Sequence, residues 1–148
     1  MSPHFASFTL TRDYKKKPER VFNAFADIEQ KRRWFAGGDG FETIEYKLDL
    51  RPHGWEIWRG RHGEMEVTNN TVYFEVIENQ QIICAYEMFM GAERLSVSLL
   101  TITLAPHGEG ARLTLTEQGA YSDEPFDVKN REIGTKDLLE ALAKEIGG

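Results

Sequence analysis

The sequence holds a single cysteine, Cys84, among its 148 residues. An internal disulfide framework is therefore excluded, and a lone thiol is typical of proteins that work in a reducing cytoplasm. The chain also lacks long apolar runs, since the longest extend over only a few residues, whereas a helix that spans a bilayer needs ~20. No basic segment followed by an apolar stretch marks a secretory signal. These absences predict a soluble, cytoplasmic protein with no membrane span.

Positively charged residues are also fewer than negatively charged ones. Lys and Arg number 18 against 24 for Asp and Glu, which gives a formal net charge of −6. Because phosphate backbones are bound by clustered positive charge, nucleic acid is not expected as a partner. Two local basic runs, 15–17 and 31–33, are each flanked by acidic residues. We interpret both as solvated ends of helices or strands.

Motifs for metal, cofactor or nucleophile chemistry are missing as well. No two of the four histidines stand at metal-ligand spacing, so no metal is expected. The sequence lacks a phosphate-binding glycine loop, a nucleophile elbow and a dinucleotide fingerprint, so no cofactor is expected. Cys84 lies between Ile83 and Ala85 without a basic neighbour, which favours a buried, inert thiol over a nucleophile.

Hydrophobic periodicity is the strongest signal that is present. Alternation over 5–14 predicts a half-buried strand. Pro18 fits the first turn of a helix, and apolar residues at helical spacing continue it to Ala26. A second short helical stretch over 29–35 ends at the glycine-rich loop 37–40, because glycine adopts left-handed conformations at little cost.

A period of two then continues from Phe41 to Gln118. Short breaks with turn-compatible residues divide this region. The predicted strands cover 44–50, 55–61, 65–77, 81–90, 95–104 and 111–118. Strands joined by such short turns must pair antiparallel.

Helical spacing returns after the last of these strands. One apolar stripe marks the helix: Leu138, Leu139, Leu142 and Ile146. Asp123 or Ser122 is a candidate N-cap, with Pro125 in the first turn. A sheet of six or seven strands must cover its apolar face, and only this helix is long enough to do so. The sequence therefore predicts an α+β fold in which a curved antiparallel sheet wraps around a long C-terminal helix, with two short helices after the first strand.

Several short segments carry a resemblance to a known family. They are 18–22 with Phe25, the pair Trp34-Phe35, 49–54, 114–119, and the stretch from Gly134-Thr135 to Leu142. In this order, over nearly the whole chain, they resemble the bacterial single-domain relatives of the activator of the ninety-kilodalton heat-shock protein ATPase. That group belongs to the START-like, birch-pollen-allergen-like superfamily (SRPBCC) of helix-grip folds.

The resemblance implies one helix-grip domain over 1–148 with an internal cavity between sheet and helix. Small helix residues, Gly134, Thr135 and Ala141, agree with such a void. The superfamily includes lipid and hormone carriers, polyketide cyclases and aromatases, ring-hydroxylase subunits and co-chaperones, so function must be argued from the pocket. In the true co-chaperone a separate N-terminal domain accompanies this one, and the chain has no room for it. A chaperone partner is therefore not expected.

Side-chain alternation selects candidate pocket residues. The even positions of strand 81–90 carry the bulky set that includes Tyr86 and Met88, and Glu117 shares its face with two leucines. The faces of Tyr73 and Ser98 stay open, because neighbours of the opposite parity are equally apolar. The aromatic candidates either stack on a planar ligand or serve as core. The predicted ligand-binding residues are Trp34, Tyr46, Trp58, Tyr73, Tyr86, Met88, Ser98, Leu115, Glu117, Gly134 and Leu138.

Glu117 and Glu56 are the candidate catalytic residues. A carboxylate on an apolar face is costly to bury alone and must be paired or protonated. Glu117 either reaches water, Arg112 or the helix, or it acts as a polar anchor or acid/base in the pocket. Glu56 shares a face with Trp58, and an exposed salt bridge carries more weight for it. If both point inward, their pKa values would be pushed apart, as in acid/base chemistry.

Three functions agree with these residues. The first is binding, sensing or transport of a small hydrophobic or aromatic molecule, since ligand sites are mostly apolar with few polar groups. The second is an enzyme of the cyclase or hydrolase type that uses a pocket carboxylate. The third is a co-chaperone-like interaction protein. A non-enzyme is favoured over an enzyme, and the sequence leaves open whether the chain forms a homodimer.

Overall fold

The computed structural model describes residues 3–36, 40–122 and 128–148. Within these ranges seven strands form one curved antiparallel sheet of order β1-β7-β6-β5-β4-β3-β2. The strands are β1 (His4–Tyr14), β2 (Glu42–Leu48), β3 (Trp55–His62), β4 (Met65–Ile77), β5 (Gln81–Met90), β6 (Glu93–His107) and β7 (Gly110–Tyr121). Strands β2 to β7 pair in sequence order, as short turns require, and β1 pairs with β7.

Helical segments lie between β1 and β2 and after β7. They are α1 (Pro18–Ala26), α2 (Ile28–Lys31), a π-helical segment (Arg32–Ala36) and α3 (Val128–Ile146). Pro18 lies in the first turn of α1, where its missing N–H breaks no helical bond. Asp27 caps α2, because its carboxylate accepts hydrogen bonds from the backbone N–H groups of Glu29 and Gln30.

The predicted order of strand, two short helices, six strands and long helix is confirmed. Strands β6 and β7 run longer than predicted, because their ladder continues to the tight turn after His107. The described part of helix α3 begins at Val128, and the cap expected at Ser122 or Asp123 stays a prediction. The other residues named for the cap and for the first loop lie outside the described ranges: Asp123, Pro125 and 37–39.

The concave face of the sheet and one face of α3 enclose the core. Thr135, Leu139, Leu142 and Ile146 are buried and recur at helical spacing. The hydroxyl of Tyr14 donates to the backbone carbonyl of Leu139 at 2.9 Å, which joins the helix to β1. One buried region, here called the closed end, consists of Ile82, Ile102, Leu113, Leu115 and Leu142, each at most 4% exposed.

A bulge between Tyr73 and Glu75 decides which side chains of β4 face inward. One extra residue changes the alternation there, so Tyr73 before the bulge and Val76 after it both pack toward the core. Val72 and Phe74 lie on the convex face, 46% and 51% exposed. Of the apolar neighbours with the opposite parity to Tyr73, only Val76 therefore packs inward.

Candidate functional site

Two buried carboxylates define the polar part of the concave face. Glu117 on β7 is 1% exposed and Glu56 on β3 is 2% exposed. Glu56 starts a cross-strand row that continues through Thr71 and Tyr86 to Ser98. Because a buried carboxylate loses its hydration, it needs partners within the protein. Each of the two carboxylates has its own set.

Glu117 and four partners form what we call the Glu117 network. The carboxylate oxygen Oε1 accepts a hydrogen bond from the hydroxyl of Tyr86 at 2.6 Å. The other oxygen, Oε2, accepts hydrogen bonds from Ser98 at 2.9 Å, Tyr121 at 2.8 Å and Arg131 of α3 at 3.3 Å. The carboxylate is therefore fully engaged by donors from two strands besides its own and from the helix.

Of the partners considered for Glu117, the helix is the one observed. Arg131 of α3 faces the carboxylate. Arg112 lies on the opposite side of the sheet and pairs with Asp13 at 2.8 Å. Ser98 is 3% exposed and faces inward, so it lies on the concave face, a point that the sequence left open.

Arg131 fastens α3 to the sheet. Its Nη1 donates to the Tyr86 hydroxyl at 2.8 Å and its Nη2 donates to Ser96 Oγ at 2.7 Å. The guanidinium carbon lies 5.6 Å and 5.5 Å from the ring centroids of Tyr86 and Tyr121, within the range of cation–π attraction. The side chain is 13% exposed. The positive charge of Arg131 balances the negative charge of Glu117.

Gly119 leaves the space that this network needs. It faces Ser98 across the β6–β7 ladder, and a Cβ at Gly119 would lie 2.6 Å from Ser98 Oγ and from the Val97 carbonyl oxygen.

Burial, together with the nearby charge of Glu117, raises the pKa of Tyr86 well above its ordinary value. The Tyr86 hydroxyl is therefore a protonated donor at neutral pH.

Glu56 has a second set of partners, which we call the Glu56 network. Lys31 Nζ donates to Oε1 at 2.6 Å, and the hydroxyl of Tyr46 donates to Oε2 at 2.6 Å. The hydroxyl of Tyr73 also donates to Oε1. The salt bridge expected for Glu56 exists, but it is buried, since the side chains of Lys31 and Glu56 are 8% and 3% exposed.

Lys31 corrects the expectation that the basic run is solvated. It is the last residue of α2, and its ammonium lies 5.8 Å, 5.9 Å and 4.8 Å from the ring centroids of Phe25, Trp34 and Phe35. Aromatic faces attract a cation, and Glu56 balances its charge. Arg33, two residues further on, is exposed as expected. One helical turn therefore sends the members of a short basic run to different environments.

Away from the closed end, the concave face becomes accessible. Trp58, Asn69 and Met88 lie side by side on β3, β4 and β5 and are only half-buried. We call this row the open end. The main contacts of α3 are with the π-helical segment, β1 and α1. Helix α1 contacts β6 and β7, and Leu142 of α3 shares the core with Ile82 and Leu113. The closed end is therefore covered by α1 and α3 together, whereas the row is only half-buried.

Trp58 forms the wall of the open end. Its indole lies along β3 over Gly60, where an added Cβ would approach the ring to 2.3 Å. Phe35 and Phe41 meet the indole edge-on, with centroid separations of 6.5 Å and 5.9 Å. Its Nε1 donates to Thr43 Oγ1 at 3.2 Å. These contacts hold an aromatic surface in one orientation while part of it stays accessible, which suits packing against a planar ring.

The remaining predicted ligand residues fall in other places. Trp34 belongs to the core, where its Nε1 donates to the Ala24 carbonyl at 2.8 Å. Leu115 is part of the closed end, and Leu138 is half-buried beside the core. Gly134 is exposed on α3. Contact of these residues with a ligand stays a prediction.

The small residues of α3, beside which a void was expected, lie in different surroundings. Gly134 is exposed, Thr135 is buried with its hydroxyl donating to the Arg131 carbonyl at 2.8 Å, and Ala141 packs against the core. Two surface hollows, of about 470 and 630 Å³, lie along α1 and the neighbouring turns. The described concave face is thus accessible at one end, and a cavity beneath the helix stays a prediction.

Three residues of the site escaped the sequence analysis: Arg131, Lys31 and Asn69. Arg131 stands four residues before Thr135 on the buried stripe of α3, so helical spacing could have revealed it. Asn69 shares the parity of Tyr73 on β4. No comparable signal marks Lys31, because its burial depends on Glu56 of a distant strand.

The described residues offer few groups for metal binding or thiol chemistry. Among those residues, no three or more His, Cys, Asp and Glu side chains are grouped so as to hold a metal ion. No helix there is both long and apolar enough to cross a membrane. Burial raises the pKa of Cys84 to about 12, so this thiol is protonated at neutral pH. The absence of a cofactor stays a prediction.

A curved antiparallel sheet around a C-terminal helix, with two short helices after the first strand, defines the helix-grip fold of the SRPBCC superfamily. The family described as "Activator of Hsp90 ATPase homolog 1-like protein" matches residues 15–147. The chain belongs to this family. The resemblance carried by the sequence motifs is thereby confirmed.

Solved structures agree with this assignment. The Mll3558 protein from Rhizobium loti is 42% identical, with 98% of this chain and 99% of that one covered and a TM-score of 0.90. An uncharacterized protein from Rhizobium leguminosarum is 31% identical, with 99% and 97% covered and a TM-score of 0.93. The AHSA1-like protein from Aeromonas hydrophila, at 14% identity, 96% and 92% coverage and a TM-score of 0.72, shares the fold. No curated protein matches the chain at a significant level.

Proposed function

We propose that the chain binds a small hydrophobic or aromatic molecule at the open end of its concave face. One observation carries the proposal: Trp58, Asn69 and Met88 face the helix side of the sheet and yet stay half-buried. Side chains on the inner face of a sheet are normally covered by the packed layer. A concave, mostly apolar surface with a few polar groups is typical of ligand sites.

The lining combines rigid and adaptable surface. Trp58 is held by Phe35, Phe41 and Thr43, so it offers a fixed aromatic plane. Met88 has a flexible, polarizable side chain that adjusts to ligand shape. The Glu117 network stands next to Met88, because Ser96 pairs with Met88 and bonds to Arg131. A ligand at the open end would therefore have aromatic surface on one side and polar groups on the other.

The state of the two carboxylates favours binding over acid/base chemistry. Glu117 accepts four hydrogen bonds and Glu56 accepts three, and each lies against one cation. A general base must reach the proton it removes with an available lone pair. Glu117 has no acceptor site left, and the one that Glu56 keeps is buried with its side chain. Both carboxylates therefore fit fixed anchors of the fold, and a cyclase-like or hydrolase-like activity has no observation in its favour.

Tryptophan fluorescence tests the proposal. The chain has three tryptophans, of which Trp34 is in the core and Trp55 is 42% exposed on the convex face. In a Trp34→Phe/Trp55→Phe background, Trp58 is the remaining reporter. We expect fatty acids, flavonoids or aromatic polyketides to change its emission saturably. The same compounds should raise the melting temperature of the unmodified chain, because a ligand of the native state stabilises it.

A matched pair of variants locates the site. Met88→Tyr places bulk in the open end, whereas Val97→Tyr places the same side chain on the convex face, where Val97 is 44% exposed. We expect binding to be lost in the first variant and kept in the second. Equal binding by both variants would place the ligand elsewhere. No response to any compound, at concentrations well above a plausible dissociation constant, would refute the proposed function.

A further inference from the structure

The open end also points to a class of ligand. We infer that Asn69 determines which ligands the open end binds, an inference that rests on the proposed function. The ligand is an uncharged, planar aromatic molecule with an acceptor oxygen, and the side-chain amide of Asn69 donates a hydrogen bond to that oxygen. Charge, an unpartnered donor and the width of the site each support this inference.

The charged groups beside the open end cancel in pairs. Glu117 lies 3.3 Å from Arg131, and Glu56 lies 2.6 Å from Lys31. In both networks, each negative charge among the described residues thus has a positive partner. A ligand with a net charge would lose hydration on entry without gaining a free counter-charge. The site therefore favours an uncharged molecule.

Within the described ranges, the side-chain amide of Asn69 is a donor without a partner. Its Oδ1 accepts a hydrogen bond from Thr71 Oγ1 at 3.1 Å. The amide N–H groups of Asn69 bond to nothing else within the described ranges, although the side chain is half-buried between Trp58 and Met88. An unpaired donor in such surroundings gains most from an acceptor that arrives with the ligand. A carbonyl oxygen over Asn69 would supply it.

The width of the row sets the size of the ligand. Trp58, Asn69 and Met88 occupy three neighbouring strands in register. Two strand spacings span ~10 Å, which accommodates about three fused rings lying across the sheet. A molecule of this size would contact Trp58 with its ring system while its oxygen rests near the middle of the row, at Asn69.

Two probes that differ in one oxygen test the inference. Fluorene and 9-fluorenone are planar three-ring molecules, and only the second carries a carbonyl. We expect 9-fluorenone to bind about 10-fold more tightly than fluorene, as one neutral hydrogen bond allows. Asn69→Leu should remove this preference by weakening 9-fluorenone about 10-fold while fluorene binds as before. Dissociation constants from Trp58 emission and from calorimetry measure both effects.

Matched variants separate recognition from folding. Asn70→Leu makes the same change one residue away on the convex side of β4 and should keep the preference. Asn69→Asp keeps the shape of the side chain but removes the donor, so it should also lose the preference for 9-fluorenone. Circular dichroism and melting temperature establish that each variant is folded.

The outcomes distinguish this inference from the proposed function. If fluorene binds at the open end and 9-fluorenone binds no better, the function stands and the role of Asn69 is overturned. The same conclusion follows if Asn69→Leu weakens both probes equally. A third probe, 9-fluorenone-4-carboxylate, should bind at least about 10-fold more weakly than 9-fluorenone; equal binding would overturn the uncharged class. If no aromatic or lipid probe binds, both proposals fail.

Discussion

The closed end and the open end of the concave face share strands but differ in packing. Strand β5 contributes Ile82 to the closed end, 3% exposed, and Met88 to the open end, where it is half-buried. The two side chains lie on the same face of the same strand. Their difference shows that cover by the helices α1 and α3, rather than residue type, decides which part of this sheet becomes core and which part stays accessible.

The two networks show the same contrast. Lys31 and Glu56 are enclosed, with side chains 8% and 3% exposed. Arg131 borders the accessible region, with its side chain 13% exposed. Glu117 also keeps three hydroxyl donors besides Arg131. The Glu56 network therefore depends more heavily on its cation than the Glu117 network does.

The largest expected effect comes from removing the cation of the Glu56 network. Lys31→Met should lower the free energy of unfolding by about 3–5 kcal/mol, because it leaves a buried carboxylate without its counter-charge. Arg131→Met should cost about 1–3 kcal/mol, since three hydroxyls still donate to Glu117. Urea denaturation measures both values. The double variant Lys31→Met/Glu56→Gln serves as control and should recover part of the loss; equal costs for the two single variants would contradict the contrast.

A smaller effect is expected from truncating one side chain at each end. Ile82→Ala should cost about 2–5 kcal/mol, because it opens a cavity in a packed core. Met88→Ala should cost about 1 kcal/mol or less, since water already reaches its site and no closed cavity forms. Denaturant unfolding of this pair, on one strand and one face, compares the ends directly. A Met88→Ala cost as large as that of Ile82→Ala would mean that the open end is part of the core.

The last prediction concerns rates rather than stability. The raised pKa of Cys84, about 12, leaves a thiolate fraction on the order of 10⁻⁴ at pH 8, and the side chain is 3% exposed. We expect Cys84 to resist alkylation while the chain is native. A thiol moved to the open end, in Met88→Cys/Cys84→Ala, should react at least about 100-fold faster. Mass spectrometry follows both; similar rates would remove the distinction between the ends.

The fold could be predicted from sequence because its signals are local. Pro18, the alternation of the strands and the leucine stripe of α3 each depend on residues within a few positions of one another. The burial of Glu117 could also be anticipated, since it shares a face with Leu115. These features need no knowledge of which distant segments meet.

The partners of the carboxylates could not be predicted, because they depend on register. Lys31 and Glu56 are 25 residues apart, and Arg131 and Glu117 are 14 apart across a segment that joins strand to helix. A shift of one residue in the ladders of β3 or β7 would send Glu56 or Glu117 to the opposite face of the sheet, away from its partner. The inward position of Tyr73 depends likewise on where β4 is bulged.

The bulge between Tyr73 and Glu75 also bears on how this chain can vary over generations. In a strand with strict pairing, an insertion or deletion of one residue exchanges the two faces for the rest of its length. At a bulge, an unpaired residue already absorbs such a shift through local twist. Changes in length are therefore best tolerated at this point of β4. Lineages could reshape the residues on the Trp58 side of the bulge while the ladder beyond it stays in register.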